Sequence, residues 1–480
     1  MNKPIRRVAF VTMVMFALLL GNGTYMMIFR QSSLAAEPQN RRVRDAEFAQ
    51  NRGSILAAGK TEIAETEPSK DRFKYQRMYP RGELYAPVTG YYSYDHARTG
   101  LESTYNTQLA GTDDALFVRR LIDLATNQTP QGASVQTTII PAAQAAAAQS
   151  LGNQKGAVVA LDPKTGAVLA MVTSPSFDPN EIAGHDIEAA GKAYDRLAAD
   201  PTRPLSNRAA REIYPPGSTF KLVTAAAALA DGKTPDTVVD APARLKLPGT
   251  NTFLPNSSNC GGTKITITQA LKISCNTAFA NLGLEVGQDK LRAQADKFGF
   301  DQRHLADLGG LASQFPDKLD GAQLALSSIG QFDVAASPLQ MAMVTAAIAN
   351  DGVLMDPYVV SMVQAPDLKP IQTHKPVTLS QPMTAANAKL LQQMMVAVVA
   401  EGTGRNGSIP GVTVGGKTGT AQSDPTRKPF AWFTSFAPAE DPKVAVAVIV
   451  EDAPIPRQDI AGGRLAAPIA RSVMEAVLGR

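Results

Sequence analysis

The longest apolar run lies near the start of the chain. Val8 to Ile28 carries no charge and is interrupted only by Thr12, Asn22, Thr24 and Tyr25. About 20 such residues suffice to cross a bilayer as a helix. From Gln31 to about Ser150 the pattern is mixed and polar, with aromatic residues gathered in Tyr75–Tyr105, and predicts an extended β-rich region with loops. Pro141 opens an alanine-rich run through Ala148 that predicts a packed helix. From Gly156 the pattern changes: Ala157–Ala160 and Val168–Val172 flank Asp162-Pro163-Lys164-Thr165-Gly166, a β-hairpin signal. Helical composition returns at Ser218–Ala230, Ile265–Leu284, Pro338–Asn350, Ala385–Val399 and Ala466–Leu478. Strands are predicted at Val412–Gly416, Ala431–Phe436 and Val444–Val450. A strand hairpin, then helices, then strands and a final helix describe an α+β sheet closed by both ends of the segment around a helical insert.

Lys3, Arg6 and Arg7 precede the long apolar run, which favours a cytoplasmic tail at 1–7 and a transmembrane anchor at 8–28. Arg30, Arg41, Arg42 and Arg44 on the other side weaken that rule. The rival reading is a cleaved signal peptide, with Val8–Leu20 as its apolar region and Ser33-Leu34-Ala35 as the cleavage site. Either reading exports the rest of the chain. The exported part divides into a non-catalytic N-terminal domain, 29–150, and a second domain, 151–480.

Composition narrows the chemistry. The 480 residues allow two or three domains. A net charge of +4 argues against a nucleic-acid partner as the default, and 44% hydrophobic residues exclude wholesale disorder. Four His and two Cys are too few for a zinc ribbon or a multi-histidine metal centre, so no metal or other cofactor is expected. Reactivity has to come from Ser, Lys, Thr, Asn and carboxylates.

Ser218-Thr219-Phe220-Lys221 meets that requirement. Serine and lysine three apart share one helix face, and a neutral lysine can take the hydroxyl proton of the serine. Taken alone, Ser-x-x-Lys also describes a helix cap followed by a solvated lysine. Two further elements strengthen it: Ser274-Cys275-Asn276, which interrupts a helical pattern, and Lys417-Thr418-Gly419-Thr420, which follows a strand. Each has a double in the chain. Ser257-Ser258-Asn259 sits in a Pro/Asn/Gly-rich loop, and Lys164-Thr165-Gly166 fits the hairpin turn. Gly419 on a strand is expected to let a substrate backbone approach closely. The two cysteines, Cys260 and Cys275, are expected to form a bridge in an oxidising compartment, with Cys275 turned away from the cleft; two buried thiols are the alternative.

The ordered set resembles the penicillin-recognising serine transferases and hydrolases. Asn51-Arg52-Gly53-Ser54-Ile55-Leu56, the stretch Tyr79 to Gly90, Gly100-Leu101-Glu102, Asn207-Arg208-Ala209, Tyr214-Pro215-Pro216-Gly217, Gly330-Gln331 and Ser337–Ala342 resemble class B penicillin-binding proteins, and among them the short actinobacterial members. The chain stops soon after its last helix, which implies that it lacks the C-terminal module of larger relatives.

The resemblance implies a β-lactamase-like transpeptidase fold, with an antiparallel sheet between helices, and a peptidoglycan D,D-transpeptidase working on D-alanyl-D-alanine stem peptides. It implies covalent inhibition by β-lactams, residence in the cell membrane and a membrane glycosyltransferase polymerase as partner. Ser218 becomes the nucleophile and Lys221 the general base. Ser274 relays a proton, and Asn276 holds the substrate's peptide bond. Lys417, Thr418 and Thr420 attract the terminal carboxylate, and the N–H groups of Ser218 and Thr420 form the oxyanion hole. A D,D-carboxypeptidase, a β-lactam sensor and a non-enzymatic scaffold are the alternatives. The helical insert after Ser274 has no Glu-x-x-x-Asn segment matching the deacylating glutamate of class A β-lactamases, which favours a transpeptidase over a β-lactamase.

Overall fold

The computed structural model describes residues 3–30, 41–126, 129–422 and 426–480. The apolar run forms helix α1 (Lys3–Ile28), with none of its residues buried. Among the described residues it is the one helix long and apolar enough to cross a membrane. Ser33-Leu34-Ala35 lies outside the described residues.

The principal elements follow in chain order. Helix α2 (Arg41–Phe48) leads to strands β1 (Ile55–Leu56), β2 (Glu62–Pro68) and β3 (Tyr75–Met78), helices α3 (Gly82–Thr89), α4 (Gly100–Thr104) and α5 (Phe117–Ala125), and strand β4 (Ser134–Thr137). Helix α6 (Pro141–Leu151) precedes the hairpin β5 (Gly156–Leu161) and β6 (Val168–Ser174). Then come α7 (Lys221–Ala230), α8 (Ile267–Lys272), α9 (Asn276–Val286), α10 (Pro338–Ala349), β7 (Val360–Gln364), β8 (Pro370–Thr373) and α11 (Ala385–Ala400). Strands β9 (Gly415–Ala421), β10 (Phe430–Ala437) and β11 (Val444–Val450) and helix α12 (Gly462–Val477) complete the chain.

The central sheet has the order β9-β10-β11-β5-β6, antiparallel throughout. Both of its faces are covered, which is why its strands read as continuous apolar runs. Val446, Val448 and Phe433 point toward α6 and α12, where they meet Ala143, Ala147, Ala470 and Val473. Ala447, Ile449 and Trp432 belong to the opposite core, with Met341 and Val344 of α10. The alanines of α6 therefore serve as a thin packing face, as their pattern suggested.

Three sequence expectations need correction. The region before Ser150 is mixed rather than β-rich, because helices one or two turns long leave no readable 3.6-residue period. The helical region read from Ile265 starts later, because a short strand, Lys264–Thr266, precedes α8; the interruption at Ser274, before α9, falls where the sequence placed it. The strand predicted at Val412–Gly416 starts at Gly415, because Ile409–Val412 closes a tight loop through Gly411 at φ 71°.

The N-terminal sheet runs β8-β7-β4-β1-β2-β3, so two of its six strands come from beyond residue 350. Behind β1 and β3 the segments Asn51–Leu56, Tyr75–Tyr79 and Gly100–Glu102 converge on one buried carboxylate. Glu102 receives Arg52 Nε at 2.6 Å and Arg77 Nε at 2.6 Å, and both guanidinium groups are almost fully buried. Tyr79 donates to the same carboxylate at 3.2 Å, and Arg52 stacks 4.2 Å from the Tyr92 ring centroid. Burial by itself would raise the Glu102 carboxyl; Arg77 and Arg52 overcome it and hold the group below the usual carboxylate range.

Removing one member of such a cluster leaves buried charge without a partner, at a cost of about 3–5 kcal/mol. Glu102→Ala should therefore lower the unfolding midpoint by several degrees in calorimetry. Lys192→Ala, which breaks an exposed pair with Glu188, should change stability by less than about 0.5 kcal/mol. Equal midpoints for the two variants would contradict the role given to Glu102.

Candidate active site

Ser218 stands at the head of α7 but not inside it. Gly217–Thr219 form a single 3₁₀ turn, and the α-helix begins at Lys221. Pro215 and Pro216 lack N–H donors and have fixed φ, so the approach to the serine has little slack. Gly217 takes a left-handed φ of 52°. Its N–H donates to Gly330 O at 2.9 Å, Thr219 Oγ1 donates to Pro216 O at 2.7 Å, and Trp432 Nε1 donates to Pro215 O at 3.0 Å. The Gly330-Gln331 block thus supports the serine turn directly.

Strand β9 presses against that turn. A Cβ on Gly419 would lie 3.0 Å from Thr219 Cγ2 and 3.1 Å from Pro216 O. The sequence suggested that Gly419 makes room for substrate; the close approach is made by the protein's own serine turn. Gly419 is thereby a packing requirement that fixes β9 relative to Ser218.

Ser274 adopts φ 62° in the break between α8 and α9, and this places its hydroxyl between two lysines. Lys221 Nζ donates to Ser274 O at 2.8 Å, to Asn276 Oδ1 at 2.8 Å and to Ser274 Oγ at 3.3 Å. Lys417 Nζ donates to the same Ser274 Oγ at 2.9 Å and to Thr418 O at 2.7 Å. Lys221 and Lys417 are both 0% exposed. Burial, with Lys417 nearby, holds the Lys221 ammonium well below the usual lysine range. Burial brings Lys417 down to about 7. Ser218 Oγ is not among the hydrogen-bond partners of Lys221 in this structure; such contacts tighten when substrate is bound.

The cleft above these groups holds about 810 Å³. Ser218, Ser274, Asn276, Thr418, Gly419 and Thr420 all line it. Thr420 is exposed to the cleft, whereas Thr418 Oγ1 is already engaged with Thr403 Oγ1 at 2.6 Å. The Asn276 amide is also partly committed, since Nδ2 donates to Pro255 O at 3.2 Å and Oδ1 accepts from Lys221.

Both doubles lie outside regular elements, as expected. Lys164 lies on the hairpin turn, about half-exposed, paired with Asp441. Ser257 and Ser258, set aside as a loop, wall the cleft. Their neighbour Asn256 was missed. Its Oδ1 accepts from the N–H of Asn276 at 2.9 Å and of Thr277 at 3.0 Å, capping α9 at its catalytic end. The available signal was an Asn beside a Pro in a loop rich in cap-forming residues. Cys260 and Cys275 are joined by a disulfide with Cα atoms 5.6 Å apart, and Cys275 is buried. The bridge fastens the Asn256 loop to the Ser274–Asn276 break.

Comparison with known proteins agrees with this geometry. Residues 156–475 match the penicillin binding protein transpeptidase domain, and residues 52–135 match the penicillin binding protein A dimerisation domain. The peptidoglycan D,D-transpeptidase PbpA of Mycolicibacterium smegmatis is 45% identical, with 100% of this chain and 99% of that one covered. PbpA of Mycobacterium tuberculosis is 42% identical over the same shares. The structure of penicillin-binding protein A from M. tuberculosis as a ceftriaxone acyl-enzyme complex superposes with a TM-score of 0.87 and 42% identity, covering 90% of this chain and 100% of that one. A serine turn, two dry lysines and a shared hydroxyl thus sit in a chain matched along its length, and the chain belongs to the penicillin-binding protein transpeptidase family.

Proposed function

We propose that this protein is a peptidoglycan D,D-transpeptidase that joins stem peptides through an acyl ester on Ser218 and is acylated by β-lactams. The observation that carries the reading is the continuous chain Lys221–Ser274–Lys417, with both lysines buried beneath the cleft and Ser274 lining it together with Ser218. A lysine kept dry and next to a second lysine loses its proton more readily than a solvated one, so Lys221 can serve as the base. Ser218 Oγ attacks the carbonyl carbon of the penultimate D-alanine and its proton passes to Lys221. The peptide bond breaks, and the departing D-alanine takes a proton relayed through Ser274. The amine of a second stem then attacks the ester, the ester bond breaks, and Ser218 regains its proton. Thr420, facing the cleft, is free to meet the terminal carboxylate, with Lys417 behind it. A β-lactam follows the first half of this path, but its leaving group stays tethered.

The same reading places α1 in the cell membrane, with both following domains outside the cytoplasm. It sets the protein beside a membrane glycosyltransferase that supplies glycan strands. Phe117, Val118, Leu121 and Ile122 of α5 each expose more than half of their surface, an apolar face on the N-terminal domain that suits a partner there.

Three outcomes test the chemistry. Ser218→Ala should fold normally and yield no penicilloyl adduct by intact-mass analysis; a stoichiometric adduct would show that another residue is the nucleophile. Lys417→Ala should slow acylation by about 10²-fold or more, whereas Lys164→Ala should change it by less than about twofold, with a fluorescent penicillin as probe. Acylation should rise with pH as Lys221 loses its proton, with its acid limb well below the ordinary lysine value of about 10.4. Lys417→Ala removes a like charge and should move that limb upward; a limb unmoved or lowered would count against Lys221 as base.

A further inference from the structure

The blocks Asn207-Arg208-Ala209 and Tyr214-Pro215-Pro216-Gly217 take no part in the bond-making steps, yet the structure joins them at one buried point. Tyr214 is 6% exposed, and its hydroxyl lies 2.9 Å from Glu451 Oε1 and 2.9 Å from Glu212 Oε2. One phenolic proton thus serves two carboxylates. Glu451 is 1% exposed and also meets Lys155 at 3.3 Å, Arg208 at 3.5 Å and Arg427 at 3.9 Å. It follows β11 directly, and its N–H donates to Lys155 O at 2.6 Å, just before β5. The carboxylate is therefore fixed at the end of β11, the middle strand of the central sheet.

Tyr214 is fixed as well. Its backbone pairs in both directions with Ala336, and its ring packs edge-on against Phe430 at 5.3 Å and Trp432 at 6.3 Å. Only Pro215, Pro216 and Gly217 separate it from Ser218, and the two prolines transmit position because their φ angles cannot adjust. Trp432 Nε1 holds Pro215 O from β10. The serine turn is thereby pinned to the sheet at two points, one on β10 and one at the end of β11. That sheet also carries Thr420, on β9.

We propose that Tyr214 and Glu451 are positioning residues for acylation. Their contact sets Ser218 Oγ and its N–H in register with the Thr420 N–H, so that nucleophile and oxyanion donors meet one carbonyl. The inference rests on the transpeptidase reading of Ser218. It adds that a hydroxyl and a carboxylate outside the reacting set govern the covalent step and not the binding step. Misplacement by about 1 Å costs up to about 10²-fold in rate, so loss of the phenol contact is expected to appear in the acylation constant.

The test uses the full-length protein in detergent with a fluorescent penicillin, separating the dissociation constant of the first complex from the acylation rate constant. Tyr214→Phe should lower the rate constant by about tenfold or more with the dissociation constant within about twofold. Glu451→Gln keeps an acceptor for the phenol and should fall between Tyr214→Phe and the parent. Tyr85→Phe removes another buried hydroxyl, one without a hydrogen-bond partner among the described residues, and should leave both constants unchanged. A rate constant within about twofold of the parent in Tyr214→Phe overturns the inference. So does a loss confined to the dissociation constant, or an equal loss in Tyr85→Phe. Should Tyr214→Phe fail to fold, Glu451→Gln decides alone: a rate constant equal to the parent's overturns the inference, and a selective fall supports it. A parent protein that forms no adduct overturns the transpeptidase reading and this inference together.

Discussion

Two buried ammonium groups meet at the same serine hydroxyl beneath the cleft, and the surrounding elements of the catalytic domain keep them there. Left to itself the pair would separate or draw in water, because burying one ammonium is costly and burying two together costs more. The structure resists both escapes. Lys221 is tied to the backbone and side chains of the Ser274–Asn276 break, and Lys417, on the edge strand β9, is tied to Thr418 O and to the Ser274 hydroxyl. The disulfide and Asn256 fasten the break from behind. The electrostatic cost is thereby converted into a lysine that gives up its proton well below the ordinary lysine range, the property a base needs.

The reacting residues were legible because chemistry dictates both their types and their spacing. Ser218 and Lys221 lie three apart in sequence, Ser274 and Asn276 two apart, and Lys417 to Thr420 are contiguous. Each unit can be read locally, and their order identifies the family. The strands of the central sheet were legible for a different reason: burial on both faces leaves long apolar runs. The supporting residues were not. Tyr214 meets Glu451 across 237 positions, and nothing near either residue announces the other. Asn256 lay in a loop that its composition marks as a turn, with no local sign that the turn caps a catalytic helix. Ser274 was flagged by motif, but its left-handed backbone was invisible in a stretch whose composition is helical.

The N-terminal domain shows the same limit on a larger scale. Arg52, Arg77 and Glu102 are 50 and 25 positions apart, in segments too short to show periodicity. The blocks that hold Arg52 and Glu102 resembled a family, but Arg77 lay outside them, and the meeting point of the three could not be read. Nor could the sequence show that β7 and β8, drawn from the later domain, finish the N-terminal sheet. That exchange of strands joins the two domains by backbone hydrogen bonds as well as by side-chain packing.

The glycines around the cleft carry an evolutionary consequence. A Cβ on Gly462 would lie 1.8 Å from Trp432 O, and one on Gly463 would lie 2.3 Å from Thr403 O. Backbone cannot step aside as a side chain can, so these two positions are closed to larger residues. Ser257 and Ser258 also line the cleft, from an exposed loop. Any change of side chain that reshapes the cleft therefore meets backbone at Gly462 and Gly463, whereas at Ser257 and Ser258 it meets solvent.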